Sequence, residues 1–128
     1  MTDYKKQGKK NRVSGKLFEK LVQKDLEKIG WIVARWTKNV DNGLVDAKPK
    51  FNPFTKQLMM NSSGFPDFIR FRISSFPNYY VEGVECKVNG YLSKEEKEKV
   101  KWLIENKIFS QILVAKKSGK EINYESIN

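Results

Sequence analysis

Between Ser14 and Ile29 apolar residues recur at three- and four-residue steps: Leu17, Phe18, Leu21, Val22, Leu26 and Ile29, with Gly30 as a stop signal. The spacing predicts an amphipathic helix with Ser14 as its N-cap. Glu19 falls at the border of the stripe, near Leu26 in projection, where it can point into a cleft beside the core. Asp25 falls inside the stripe, and nothing in the pattern accounts for it. Trp31 to Trp36, β-branched at Ile32 and Val33, predicts a first strand. Residues 37–64 show no period and are broken by Gly43, Pro49, Pro53 and Gly64. A connection this long inside a small domain is functional or holds structure of its own. Phe51, Phe54, Leu58, Met59 and Met60 make it too apolar for a solvated loop; a small hairpin, a dimer surface or a wedge against bases all fit.

Asp67 to Ile73 predicts a second strand, with Ile69, Phe71 and Ile73 alternating against Arg70 and Arg72. After a turn through Pro77, Tyr79 to Val88 predicts a third, antiparallel to the second and ended by Asn89-Gly90. Ser93 opens a second helix, and Glu96 three residues on completes a capping-box signal. Val100, Leu103 and Ile104 form its apolar stripe. Phe109 to Lys117 predicts a strand, with a short last one near Ile122 to Tyr124. Helix, strand, hairpin, helix, strand makes an α/β domain with a small mixed sheet, spanning residues 15–128 behind a basic, flexible arm at residues 1–14.

Composition changes this picture in three ways. Lys and Arg number 25 against 15 Asp and Glu, a net charge of +10, which fits a polyanion partner or a lysine-rich soluble surface. Lys9, Lys10 and Arg12 in the arm, then Arg35 and Lys38, with Lys48, Lys50 and Lys56 beyond, are candidate phosphate contacts. The absence of histidine excludes serine–histidine triads, His-ligated zinc and any histidine base. Cys86, the single cysteine, permits no intrachain disulfide and reads as a packed core thiol. With no apolar run of membrane-spanning length and no signal-peptide pattern, the expected setting is cytoplasmic, nucleoid or nuclear, without membrane association.

The chemistry concentrates in Phe65-Pro66-Asp67-Phe68 and Val84-Glu85-Cys86-Lys87. Alternation along a strand sends Glu85 and Lys87 to one face and Val84, Cys86 and Val88 to a core face. Asp67 and Glu85 on paired strands are candidate ligands for Mg²⁺ or Mn²⁺, with the Cys86 backbone carbonyl and Glu19 as further donors. Lys87 is placed to orient or deprotonate a water, or to stabilise transition-state charge.

Pro66-Asp67, 17 intervening residues, then Glu85-Cys86-Lys87, with Gly15-Lys16-Leu17-Phe18-Glu19 and Gly30-Trp31 upstream, resembles the PD-(D/E)XK nuclease superfamily. The chain is most similar there to archaeal-type Holliday junction resolvases and related replication-repair nuclease domains. The likeness covers roughly residues 12–124 in layout, and only short motifs in sequence. It implies a restriction-endonuclease-like core, a small mixed sheet flanked by helices, Mg²⁺ or Mn²⁺ dependence, cleavage leaving 5′-phosphates and, for the resolvases, a homodimer. Where related repair domains carry a glutamine in the second helix this chain has Glu96, whose role stays open. Ser62 and Ser63 read as turn residues or as a serine-bearing loop of the resolvases.

The expected function is therefore a Mg²⁺-dependent endodeoxyribonuclease specific for DNA structure, a four-way junction first, in recombination or repair. One site with little extra chain leaves small room for a sequence reader, and phosphate contacts carry no sequence information. A repair, restriction-like or homing endonuclease of the same fold, with residues 37–64 reading duplex DNA, is the alternative, followed by a noncatalytic DNA-binding module.

Overall fold

The computed structural model describes residues 2–48, 50–59 and 64–127, the side chains of 2–14, 50–52 and 57–59 excepted. Its elements run α1 (Thr2–Lys28), β1 (Ile32–Arg35), β2 (Lys38–Val40), β3 (Leu44–Asp46), β4 (Lys50–Asn52), β5 (Gln57–Met59), β6 (Phe68–Ser75), β7 (Asn78–Cys86), α2 (Lys94–Glu105), β8 (Ile112–Ser118) and β9 (Glu121–Ile127). The main sheet has the order β1-β6-β7-β8-β9, with β7 and β8 parallel and the other pairs antiparallel. The predicted α/β class, the β6–β7 hairpin and the mixed sheet are all present.

Two departures have simple causes. The backbone of the stretch expected as a separate arm is continuous with α1, so Ser14 is no boundary. Gly8 and Gly15 each cost a helix about 1 kcal/mol relative to alanine, which lowers its stability without ending it. Residues 37–64 hold two antiparallel hairpins whose three-residue strands are too short to show a period: β4–β5, pairing Phe51 with Leu58, is the small hairpin that was one of the readings, and β2–β3 was not expected.

Each sheet face has its own core. Phe18, Val22 and Leu26 of α1 pack on Trp31, Phe68, Val84 and Ala115. Val100 and Leu103 of α2 pack with Phe65, Phe109 and Ile112 on the other face. Leu17, Leu21 and Ile29 were expected in the α1 stripe but are exposed, so the helix buries a narrower seam. Asp25 lies on that seam because the Tyr124 hydroxyl donates to its carboxylate at 2.8 Å.

The segment entering β6 is fixed by two close approaches. Gly64 donates its N–H to the Trp36 carbonyl at 2.7 Å, and a Cβ there would fall 1.9 Å from the Lys38 carbonyl oxygen. Pro66, fully buried, lies on Gly83 of β7, where an added Cβ would come within 2.6 Å of the Pro66 Cγ. These contacts hold Asp67 at the mouth of the hairpin.

Candidate active site

The β6–β7 register pairs Phe68 with Val84, so the next pair outward sets Asp67 opposite Glu85. Directly opposed residues of an antiparallel pair stand roughly 4.5–5.5 Å apart at Cβ, close enough for two carboxyls to meet. They do meet. The Glu85 carboxyl hydrogen-bonds Asp67 and also Glu96, while Asp67 Oδ2 accepts from the Cys86 N–H at 2.8 Å. Lys87, two residues along the same face, ion-pairs with Glu96 at 2.7 Å. Glu96 is held in turn: Ser93 caps α2, its hydroxyl accepting from the Glu96 N–H at 3.1 Å, and Glu96 accepts from the Ser93 N–H at 2.9 Å.

The expectation of one core face and one open face needs correction. Alternation reveals which residues share a face, but not that α2, crossing from β7 to parallel β8, covers the Glu85 side. Glu85 is buried there, and Val88, expected toward the core, is exposed beyond the end of β7. Cys86 does pack against the α1 cluster. Its thiol is pushed up by burial and then by the negative charges of Asp67, Glu19 and Glu85, which makes it inert as a nucleophile.

The protonation pattern follows from crowding three carboxyls around one ammonium. Glu85 is pushed up to about 11 by burial first, then by its hydrogen bond with Asp67 and the Asp67 charge, so it keeps a proton at neutral pH. Burial opposes the charged form of Lys87. The hydrogen bond to Glu96 and the surrounding carboxylates outweigh that and hold its pKa above the ordinary value. Glu96 is lowered: burial acts against its charged form, but the Lys87 and Ser93 hydrogen bonds prevail. Lys87 is thus an ammonium in this state. It can donate and stabilise charge but not take a proton from water, which narrows the roles expected of it.

The contact between the Asp67 and Glu85 carboxyls is also the observation that tests the fit of a metal. Two touching carboxyls with no cation between them must retain a proton, and a divalent cation does the same electrostatic work. Asp67 and Glu85 therefore fit as a ligand pair. Glu19, near enough to act on Cys86, comes from α1 on the other face of the sheet. Among the described residues no three His, Cys, Asp or Glu side chains are gathered as a metal-ligand cluster.

The candidate phosphate contacts are dispersed. Lys38 is ion-paired with Asp46 across the β2–β3 hairpin, and Arg35 is exposed at the end of β1, one residue before the Trp36 N–H that bonds the Asp67 carbonyl. The side chains of Lys9, Lys10, Arg12 and Lys50, with Ser62, Ser63 and Met60, lie outside the described residues. Sequence reasoning left the role of Glu96 open. The capping box had already placed it at the α2 start, and the β7–α2–β8 crossover carries that start to the Glu85 face. Nor did any helix of the described residues prove long and apolar enough to cross a membrane. Comparison with protein-family models, curated proteins and solved structures finds no match to this chain.

Proposed function

We propose that the chain is a divalent-metal-dependent endodeoxyribonuclease with a restriction-endonuclease-like core, centred on Asp67, Glu85 and Lys87. The observation that carries this reading is the contact between the Asp67 and Glu85 carboxyls, with the Lys87 ammonium on the same face. Mg²⁺ or Mn²⁺ would be held by Asp67 and Glu85, with the Cys86 carbonyl and Glu19 as further donors, and supplies charge neutralisation at the phosphate and a more acidic water. Lys87 donates to the attacking water or to a non-bridging phosphate oxygen and stabilises the charge that builds there. Glu96 keeps that ammonium charged and aimed across the face.

The succession of α1, β1, the β6–β7 hairpin, α2 and β8, with one helix on each face, supports the fold assignment. The charge of +10 supports a nucleic-acid substrate, and we propose branched DNA cut by a homodimer whose two-fold axis sets one site on each of two opposing strands. One observation favours a second reading, a duplex-reading restriction-like or homing enzyme. The β2–β3 hairpin is tied to the site by the Phe65 N–H, which donates to the Lys38 carbonyl at 2.9 Å, and a two-stranded ribbon fits the major groove.

Incubation with plasmid, linear duplex and a synthetic four-way junction tests this, with Mg²⁺ and with EDTA. Metal-dependent cutting is expected, strongest on the junction, and lost in Glu85→Gln and Lys87→Ala. Cutting of duplex at a fixed sequence selects the second reading. Binding without any cutting in Mg²⁺ or Mn²⁺ rejects the enzyme.

A further inference from the structure

A groove of about 680 Å³ runs between the second half of α1 and the β8–β9 turn, away from the Glu85 face. Its floor is apolar, built from Phe18, Leu21 and Ile122, and Leu21 is left half exposed. Its rim carries Lys24, Lys28, Lys117 and Lys120 against two acids, Asp25 and Glu121. Asp25 is already engaged by the Tyr124 hydroxyl. Lys24 and Lys28 stand one helical turn apart, about 6 Å along the axis, on one wall. Lys117 and Lys120 stand on the other, around Gly119.

The groove and the candidate active site share backbone neighbours. The Lys117 N–H bonds the Val88 carbonyl at 3.3 Å, one residue beyond Lys87, and Phe18 on the floor is the neighbour of Glu19. We infer that this groove binds the sugar-phosphate backbone of a nucleic-acid strand leading to or from the cleavage centre, its four lysines on phosphates and its apolar floor under sugars or a base. The inference rests on the nuclease reading for the direction of the strand. It draws its own support from the charge of the rim, the apolar floor and the shared strand end. A phosphate backbone matches a charged rim over an apolar floor because both features alternate along a nucleotide chain. None of these lysines is among the residues that the sequence singled out as phosphate contacts.

The test is binding of a fluorescein-labelled four-way junction and a labelled single strand in EDTA, where no cutting occurs, across a salt series. Lys24→Gln, Lys28→Gln, Lys117→Gln and Lys120→Gln are combined. A control replaces Lys94, Lys97, Lys101 and Lys107 by Gln on the α2 side, an equal charge change. Circular dichroism checks that both remain folded, which exposed Lys→Gln changes permit. Loss of contacts to several phosphates is expected to lower the log–log salt slope by about 2–4 and the affinity on the order of ten- to hundredfold, with little change in the control. Equal losses in the two variants, an unchanged slope in the groove variant, or displacement of the junction by polyglutamate of matched charge would each overturn the inference. Groove-dependent binding by a protein that never cuts DNA would leave the inference standing and reject the nuclease. Mg²⁺-dependent cutting with groove-independent binding would do the reverse.

Discussion

Strand β7 buries two glutamates three residues apart, Glu82 and Glu85, each 5% exposed, on opposite faces of one sheet. Glu82 faces α1 and is matched. Arg70 on the neighbouring strand meets its Oε1 with Nε at 2.9 Å and Nη2 at 2.7 Å, and the Gln111 amide donates to its Oε2. The Arg70 guanidinium also stacks 3.9 Å from the Trp31 ring centroid. Glu85 faces α2 and is mismatched: its neighbours are two more carboxyls and a single ammonium already taken by Glu96. A buried pair with charges cancelled and hydrogen bonds filled holds a fold in register. A buried cluster with surplus negative charge destabilises the fold, and a ligand of the opposite sign relieves it. That difference is what singles out the Glu85 cluster as the candidate site in a chain with 15 acidic residues to choose among.

The largest expected effect concerns which face carries chemistry. Asp67→Asn or Glu85→Gln should reduce cleavage on the order of a thousandfold or more, since charge stabilisation at the phosphate is lost outright. Glu85→Gln should at the same time raise the stability of the metal-free protein, by on the order of 1–3 kcal/mol at neutral pH, because the buried ionisable group is gone. Urea titration beside a cleavage assay measures both; a destabilised but active Glu85→Gln would merge the two clusters into one structural kind.

Next in size is Arg70→Met, which leaves Glu82 buried and uncompensated. A cost of about 3–5 kcal/mol is expected, largely restored by adding Glu82→Leu, with the activity per folded molecule unchanged. A single mutant as stable as the double would show that the pair contributes no matching.

The dependence on pH sharpens the contrast. The Glu85 pKa stands at about 11 in the folded protein against 4.5 for the free side chain. Its contribution to stability is full below about 4.5 and declines as pH rises toward about 11, by up to about 1.4 kcal/mol per unit. Metal-free protein should therefore lose melting temperature as pH rises through that window, and Glu85→Gln should flatten the profile. Mg²⁺ should stabilise more at alkaline than at acid pH. The smallest effect belongs to Glu96→Gln. It preserves the cap geometry and a hydrogen bond to Lys87, so less than about 1 kcal/mol of stability should go, with cleavage reduced several-fold. Glu96→Ala should cost more on both counts.

Much of this was legible in the chain. Alternation and turn signals located the β6–β7 hairpin, the Ser93–Glu96 box located α2, and strand pairing then brought Asp67 to Glu85. The signals fail where local pattern and tertiary cover disagree. Arg70, an apparent outward residue in an alternating strand, is buried because α1 and Trp31 close over that face and Glu82 answers its charge. Asp25 needed Tyr124, 99 residues away, to be explained. The burial of Glu85 needed α2, and residues 37–64 needed backbone pairing over stretches too short for any period to register.

The central claim is that a cation takes the place of the proton shared at Asp67 and Glu85. Titration calorimetry with Mn²⁺, repeated in two buffers of different ionisation heat, measures that exchange directly. Binding that releases about one proton at neutral pH in the native protein, and none in Glu85→Gln, is the predicted result. Binding without proton release, or release unaltered by Glu85→Gln, would contradict it.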